Sequence, residues 1–153
     1  MFYRDGMAFT IDHSREIAAP PALVWQALTD FAAYAQWNPF AVEATCDLRP
    51  GGAITMRVAL RPPKVMTQKE YIVSVDEGRG FAYAMKPAPA GLLRSIREQD
   101  IVDLGDGRSR YTSHFQLDGP LSPLVGALLG ANLRRGFDGN VDGLVRRAEF
   151  LAR

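Results

Sequence analysis

The chain has 153 residues, 47% of them hydrophobic and 23% charged, with a formal net charge of +1. This size and balance fit one soluble globular domain over residues 1–153 with a substantial core, and exclude disordered or fibrous composition. There is no excess of Lys and Arg to bind nucleic acid, Cys46 alone makes no disulfide framework, and Pro120 to Ala131 is too short and glycine-rich for the about 20 residues of a membrane span.

Met1 to Thr10 has neither the basic region nor the apolar run of a secretory leader, so a cytoplasmic protein is expected. Ala8 to Ala18 alternates as a strand, with Phe9, Ile11, His13, Arg15 and Ile17 on the apolar face. Pro20 and Pro21 end it and open a helix over Ala22 to Thr29, burying Val24, Trp25 and Leu28. Asp30 is positioned to cap a second short helix, Phe31 to Trp37, which Asn38-Pro39 stops. Strands follow over Val42 to Leu48, Ile54 to Leu60, Val65 to Val75, Phe81 to Met85, Arg94 to Leu104 and Arg108 to Asp118, with Gly and Pro turns between them. Gly119-Pro120 leads into the longest helical pattern, Leu121 to Arg153. Its apolar stripe runs through Leu121, Leu124, Val125, Leu128, Leu129, Leu133, Phe137, Val141, Leu144, Val145, Ala148 and Leu151. Gly126, Gly130, Gly136, Gly139 and Gly143 interrupt it, each costing about 1 kcal/mol against alanine. They are expected either to touch sheet backbone or to border a cavity.

This order predicts an α+β fold: a seven-stranded curved antiparallel sheet wrapped around a long C-terminal helix, with two short helices after strand 1. A strongly curved sheet does not follow a straight helix throughout, and the gap is a ligand cavity.

Ile17-Ala18-Ala19-Pro20-Pro21, Val24-Trp25, Leu28, Asp30 and Trp37-Asn38-Pro39 resemble the SRPBCC superfamily, whose members include START-type lipid-binding domains, plant allergen-type carriers and polyketide cyclases/dehydratases. The likeness continues through Gly107 to Tyr111, Gly119-Pro120-Leu121 and Leu144 to Glu149. It implies the helix-grip, Bet v 1-like fold and a deep, mostly apolar pocket between the sheet and the last helix. Arg15 stands where relatives more often carry an aliphatic residue, and Phe115 where some carry a polar one.

Chemistry-bearing residues are few, and no catalytic set is assigned. His13 is a candidate general acid or base if it lies in the cavity, or else an edge-strand histidine. Arg15 is a candidate for a ligand carboxylate or enolate, or else half of an ion pair. His114 has the opposite parity to Tyr111 and Phe115 and is expected at the surface. Cys46 reads as a small hydrophobe, no metal-ligand spacing occurs, and no phosphate loop follows a strand, so neither metal nor cofactor is expected. Trp37, Phe40, Met56, Tyr83, Met85, Tyr111, Phe115 and Phe137, with Asn132 and Gly136, are the remaining candidates for the cavity wall, the alternative being plain core.

The expected function is binding of a hydrophobic small molecule: a lipid, isoprenoid, aromatic or polyketide-like compound. A polyketide cyclase/dehydratase using the same pocket is the alternative. The third reading is a protein-interaction or chaperone-activator module acting through the short helices or the Pro87 to Leu93 loop. No nucleic acid partner is expected, and oligomeric state has no sequence signal.

Overall fold

A computed structural model describes residues 8–153; Met1–Met7, part of the stretch read above for a leader, lie outside the described residues. The first alternating run forms β1 (Phe9–Ile17). Pro21 then opens α1 (Pro21–Thr29), whose buried residues are Val24, Ala27 and Leu28, and Trp25 meets Phe81 edge-on at 6.4 Å.

The second helix divides into a 3-10 turn, Phe31–Ala33, and α2 (Tyr34–Trp37). Asp30 does not cap it with its side chain. Its backbone is already committed, donating to the Gln26 carbonyl and accepting from the Ala33 N–H. Asn38 supplies the polar side chain instead: its Oδ1 accepts from the backbone N–H of Phe40 and of Ala41, both at 3.0 Å, and turns the chain into β2.

The strands are β2 (Ala41–Cys46), β3 (Ala53–Arg61), β4 (Lys64–Asp76), β5 (Gly80–Ala84), β6 (Arg94–Gly105) and β7 (Arg108–Asp118), followed by α3 (Ser122–Leu151). All neighbours are antiparallel, in the order β1-β7-β6-β5-β4-β3-β2. The two short helices carry the chain from one sheet edge to the other, and the meander returns it beside β1. Register shifts at Ala41/Glu43 and at Ile72/Ser74 bend the sheet, as bulges do. The expected seven-stranded helix-grip architecture is therefore the one observed.

α3 divides into two halves. Val141, Leu144 and Ala148 are fully enclosed, packed with α1 and with Ile17, Ile101 and Tyr111 of the sheet. Leu124 and Leu128, expected in the buried stripe, are instead 56% and 65% exposed. The sheet curves away from the first half of the helix, so only part of the stripe has a surface to bury against. The glycines touch neither sheet backbone nor open cavity first. A Cβ at Gly126 or Gly130 would meet the Phe9 ring, one at Gly136 the Phe40 ring, one at Gly139 Pro39, and one at Gly143 the Trp37 backbone carbonyl.

Gly143 and Gly130 therefore differ in outcome. For Gly143→Ala, overpacking against a fixed carbonyl costs about 1–3 kcal/mol and exceeds the about 1 kcal/mol gained in helix propensity. In Gly130→Ala the half-buried Phe9 ring yields and the propensity gain dominates. Urea unfolding is expected to show the first variant less stable than wild type and the second equal or more stable.

Candidate functional site

Between the open half of α3 and the sheet lies a cavity of about 240 Å³. Three surfaces enclose it. β3 and β4 supply Met56, Val58, Leu60, Met66, Gln68 and Glu70; β5 to β7 with their connections supply Tyr83, Met85, Leu93, Ser95, Arg97, Phe115 and Leu117; α3 supplies Val125, Leu129, Leu133, Phe137 and Asn140, and Phe40 closes one side. A wider polar groove of about 580 Å³ crosses the opposite face, bordered by Asp12, His13, Glu98, Asp100, Thr112 and His114. It lacks convergent apolar walls, so the smaller cavity is the candidate site.

The cavity is mostly apolar, with Gln68 and Glu70 on the β4 side and a polar cluster centred on Arg97. Its guanidinium is enclosed, at 5% residue exposure, and no carboxylate contacts it. Nε donates to Ser113 Oγ at 3.0 Å, Nη1 to the Tyr83 hydroxyl at 3.3 Å, and Nη2 to the Tyr111 hydroxyl at 3.4 Å and to Asn140 Oδ1 at 2.7 Å. The Phe137 ring lies under the guanidinium carbon, 4.6 Å from centroid to carbon. Tyr111 donates onward to Gln99 Oε1 at 2.7 Å. Burial opposes the Arg97 charge, but the Tyr111 and Tyr83 hydroxyl oxygens turned toward it outweigh that effect and hold the pKa above the ordinary arginine value. Arginine has five N–H donors, and these four bonds leave one, on Nη1, without an acceptor among the described residues.

Glu70 is the second ionisable group in the wall. Burial pushes its carboxyl up to about 7, against the lowering effects of a Gln68 hydrogen bond and the Arg97 charge. Burial likewise raises Tyr83 and Tyr111, keeping both hydroxyls neutral, and lifts Cys46 to about 11, so its thiol is no nucleophile.

Of the residues expected in the wall, the structure places Phe40, Met56, Tyr83, Met85, Phe115 and Phe137 around the cavity. Tyr111 is fully buried behind it and reaches it through Arg97. Gly136 backs onto the Phe40 ring. Trp37 packs in the main core against Tyr34, at 4.9 Å, and not in the wall. Asn132 faces outward and accepts from Arg135 at 3.1 Å, so it too lies away from the wall.

His13 and Arg15 do face inward, as parity requires, but β1 is an edge strand crossed by α3 and never reaches the cavity. His13 Nε2 meets Asp138 Oδ1 at 2.7 Å, and Arg15 Nη2 meets Asp142 Oδ1 at 2.7 Å. The ion-pair alternative is thus the one realised for Arg15. His114 is half-buried, held by Asp12 at 2.5 Å and Gln116 at 2.9 Å; these bonds outweigh burial and raise its pKa. No grouping of His, Cys, Asp and Glu suited to a metal ion occurs among the described residues. Nor is any helix among them long and apolar enough to cross a membrane.

Sequence reading missed Arg97, Asn140 and Glu70. The signal for Arg97 was available in the Gly105-Asp106-Gly107 turn: pairing the two strands back from it sets Arg97 opposite Phe115 and on the face of Tyr111 and Ser113. Asn140 stands three residues after Phe137 and four before Leu144, on the apolar stripe itself.

The sequence matches the family described as "Polyketide cyclase / dehydrase and lipid transport" over residues 8–149. No curated protein matches it. Among solved structures, the chain is similar to the Zhui aromatase/cyclase from a Streptomyces species, with 20% identity, a TM-score of 0.76, and 95% of this chain and 96% of that one covered. It is also similar to truncated norcoclaurine synthase from Thalictrum flavum, with 16% identity, a TM-score of 0.66, and coverage of 94% and 93%. A START superfamily protein from Mycobacterium smegmatis aligns at 16% identity and a TM-score of 0.60, over 88% of this chain and 98% of that one. At these identities the likeness carries the fold.

The raised Glu70 pKa makes a stability prediction. Between pH 4.5 and about 7 the folded chain keeps a proton that the unfolded chain releases, so wild-type stability falls as pH rises through that window. Glu70→Gln removes this loss. Denaturation midpoints of the two proteins are expected to coincide near the bottom of the window, and the variant to be the more stable above its top.

Proposed function

The chain belongs to the polyketide cyclase / dehydrase and lipid transport family, and on that premise we propose that it binds a compact, largely apolar molecule carrying an oxygen acceptor, anionic or enolisable, at one end. The observation that carries this reading is the enclosed Arg97 with a spare N–H and no carboxylate partner at the edge of an apolar cavity. A ligand oxygen would complete the set of acceptors, and a charge-assisted bond of this kind contributes about 1.5–3 kcal/mol. At about 240 Å³ the cavity falls just below the about 300–1,000 Å³ usual for ligand sites, which favours one or two rings over a long chain.

Naphthoate, a two-ring carboxylate, and its neutral methyl ester separate the anchor from the apolar wall. Titration calorimetry is expected to show naphthoate binding the wild type more tightly than the ester. Arg97→Met should weaken naphthoate by about tenfold or more while leaving the ester nearly unchanged. Arg97→Met leaves Asn140 Oδ1 and the Ser113, Tyr83 and Tyr111 hydroxyls without this donor, at a cost of about 1–3 kcal/mol for each group left unpaired, so circular dichroism and an unchanged ester affinity are the checks that the variant is folded. Leu129→Trp, which fills the cavity, should abolish both. Equal affinity for acid and ester in wild type and Arg97→Met would remove the anchor from the reading.

A second reading, catalysis of cyclase/dehydratase type, is favoured by Glu70. A carboxylate near neutral pKa in the same cavity suits proton abstraction from carbon beside a carbonyl, and Arg97 would support the enolate oxygen. Deuterium uptake at the methyl group of acetophenone, followed by mass spectrometry, is expected to exceed the solvent rate with wild type. Glu70→Gln should remove a factor of about 10²–10⁴. Uptake equal in wild type, variant and buffer would leave binding as the sole reading.

A further inference from the structure

The end of the molecule where the cavity reaches the surface is built from three segments: the β3–β4 hairpin, the β5–β6 connection and the first half of α3. Met66 belongs to the cavity wall and is itself 50% exposed, so the apolar lining continues outward there. Leu92 and Leu121 meet across this end, the Leu121 N–H donating to the Leu92 carbonyl at 3.1 Å, and both side chains are exposed. Leu124 and Leu128 extend the same surface along α3, next to the wall residues Val125 and Leu129. The exposed apolar surface is thus contiguous with the cavity rim.

The charge of this end is one-sided. Residues 57–69, 85–97 and 119–137 contain no Asp or Glu. They present exposed Arg61, Lys64, Lys86, Arg94, Arg134 and Arg135, none of which forms an ion pair among the described residues. At the opposite end of the sheet the turns mix both signs, with Asp47 paired to Arg49 and Asp76 to Arg79. The cavity end therefore gathers unpaired cations although the net charge is only +1. Exposed leucines flanked by long cationic side chains are the composition of surfaces that lie in the interfacial region of a lipid bilayer, where leucines enter the acyl boundary and cations meet anionic headgroups. A protein partner of matching acidity would also complement the charge, but the leucines lie directly beside a cavity for apolar molecules, a continuity that a bilayer exploits and an acidic protein does not.

We propose that this end docks onto an anionic lipid bilayer, with Leu124, Leu128 and Met66 inserted and the cavity rim facing the membrane. This goes beyond the ligand reading and does not depend on Arg97.

The test is sedimentation of the full-length protein with vesicles of phosphatidylcholine alone and of phosphatidylcholine mixed with phosphatidylglycerol. Binding is expected to the mixed vesicles and to be weak or absent on the neutral ones. It should fall when salt rises from about 0.1 M to about 1 M, as the screening length drops from about 10 Å to about 3 Å. The pair Leu124→Ser and Leu128→Ser should reduce partitioning by about tenfold or more, and Arg61→Glu with Lys64→Glu should reduce it and its salt dependence. Arg49→Glu, at the opposite end, should leave it unchanged. All these positions are exposed, so circular dichroism should show intact folds. No binding to either vesicle, equal binding to both, or no effect of the leucine pair overturns the proposal. So does light scattering that shows a dimer made monomeric by the leucine substitutions, which would assign the patch to a second copy. Naphthoate affinity measured on the same variants should be unchanged, so a failed ligand reading and a failed docking proposal give different results.

Discussion

The curvature of the sheet against a straight helix governs the molecule. α3 has 30 residues, about 45 Å at about 1.5 Å per residue, and the sheet beneath it bends at the irregularities in β2 and β4. A straight rod meets a curved surface along part of its length. Val141, Leu144 and Ala148 occupy that contact and are sealed by α1. The glycine at 143 lets the helix approach the α2–β2 segment to backbone distance and fixes where the contact ends. Before Phe137 the helix keeps contact with the β1 edge through Phe9 but stands off the inner strands, which creates the cavity and also exposes Leu124 and Leu128.

Arg97 follows from this arrangement. Its strand runs under the place where the helix separates from the sheet, so an inward side chain there meets neither water nor close packing. Burial of a guanidinium without a counter-ion costs on the order of several kcal/mol, offset here by hydroxyl and amide acceptors and by the Phe137 ring. These partners come from β5, β7 and α3, so a single charge ties two of the three surfaces around the site together. Neutral partners satisfy the cation without cancelling it, and the field they leave is directed into an apolar space. The Gln68 hydrogen bond and this field together oppose the effect of burial on Glu70, whose carboxyl is pushed up to about 7.

The seam between β1 and α3 shows the contrast. His13–Asp138 is a hydrogen bond and Arg15–Asp142 an ion pair, each joining an inward-facing residue to a partly exposed acid on the helix flank. Exposed pairs of this kind contribute about 0–1 kcal/mol and here fasten the edge strand to the helix. What separates Arg15 from Arg97 is position in the sheet. The edge strand lies where the helix flank supplies acids, and the inner strand lies where it supplies Asn140 and Phe137.

Local chemistry in the sequence determined the elements. Alternation, prolines and glycine turns set the strands, and β7 begins and ends where the pattern predicts, at Arg108 and Asp118. The motif residues from Ile17 to Pro39 and the element order were enough for the helix-grip fold; strand parity placed Met56, Tyr83 and Phe115 on the inner face and the helical stripe carried Phe137, and with Phe40 they line the cavity. Parity says only which face a residue takes. Whether an inward side chain meets core, cavity or a helix flank depends on where α3 crosses the curved sheet, a property of no single segment. For that reason His13 and Arg15 read as site candidates and are held by Asp138 and Asp142 of the helix flank, Trp37 read as wall and packs in the core, and Asn132 was chosen where Asn140 stands. Leu124 and Leu128 share a stripe with Leu144, and only the tertiary structure decides that one end of that stripe is buried and the other meets the solvent, because the sheet bends away between them.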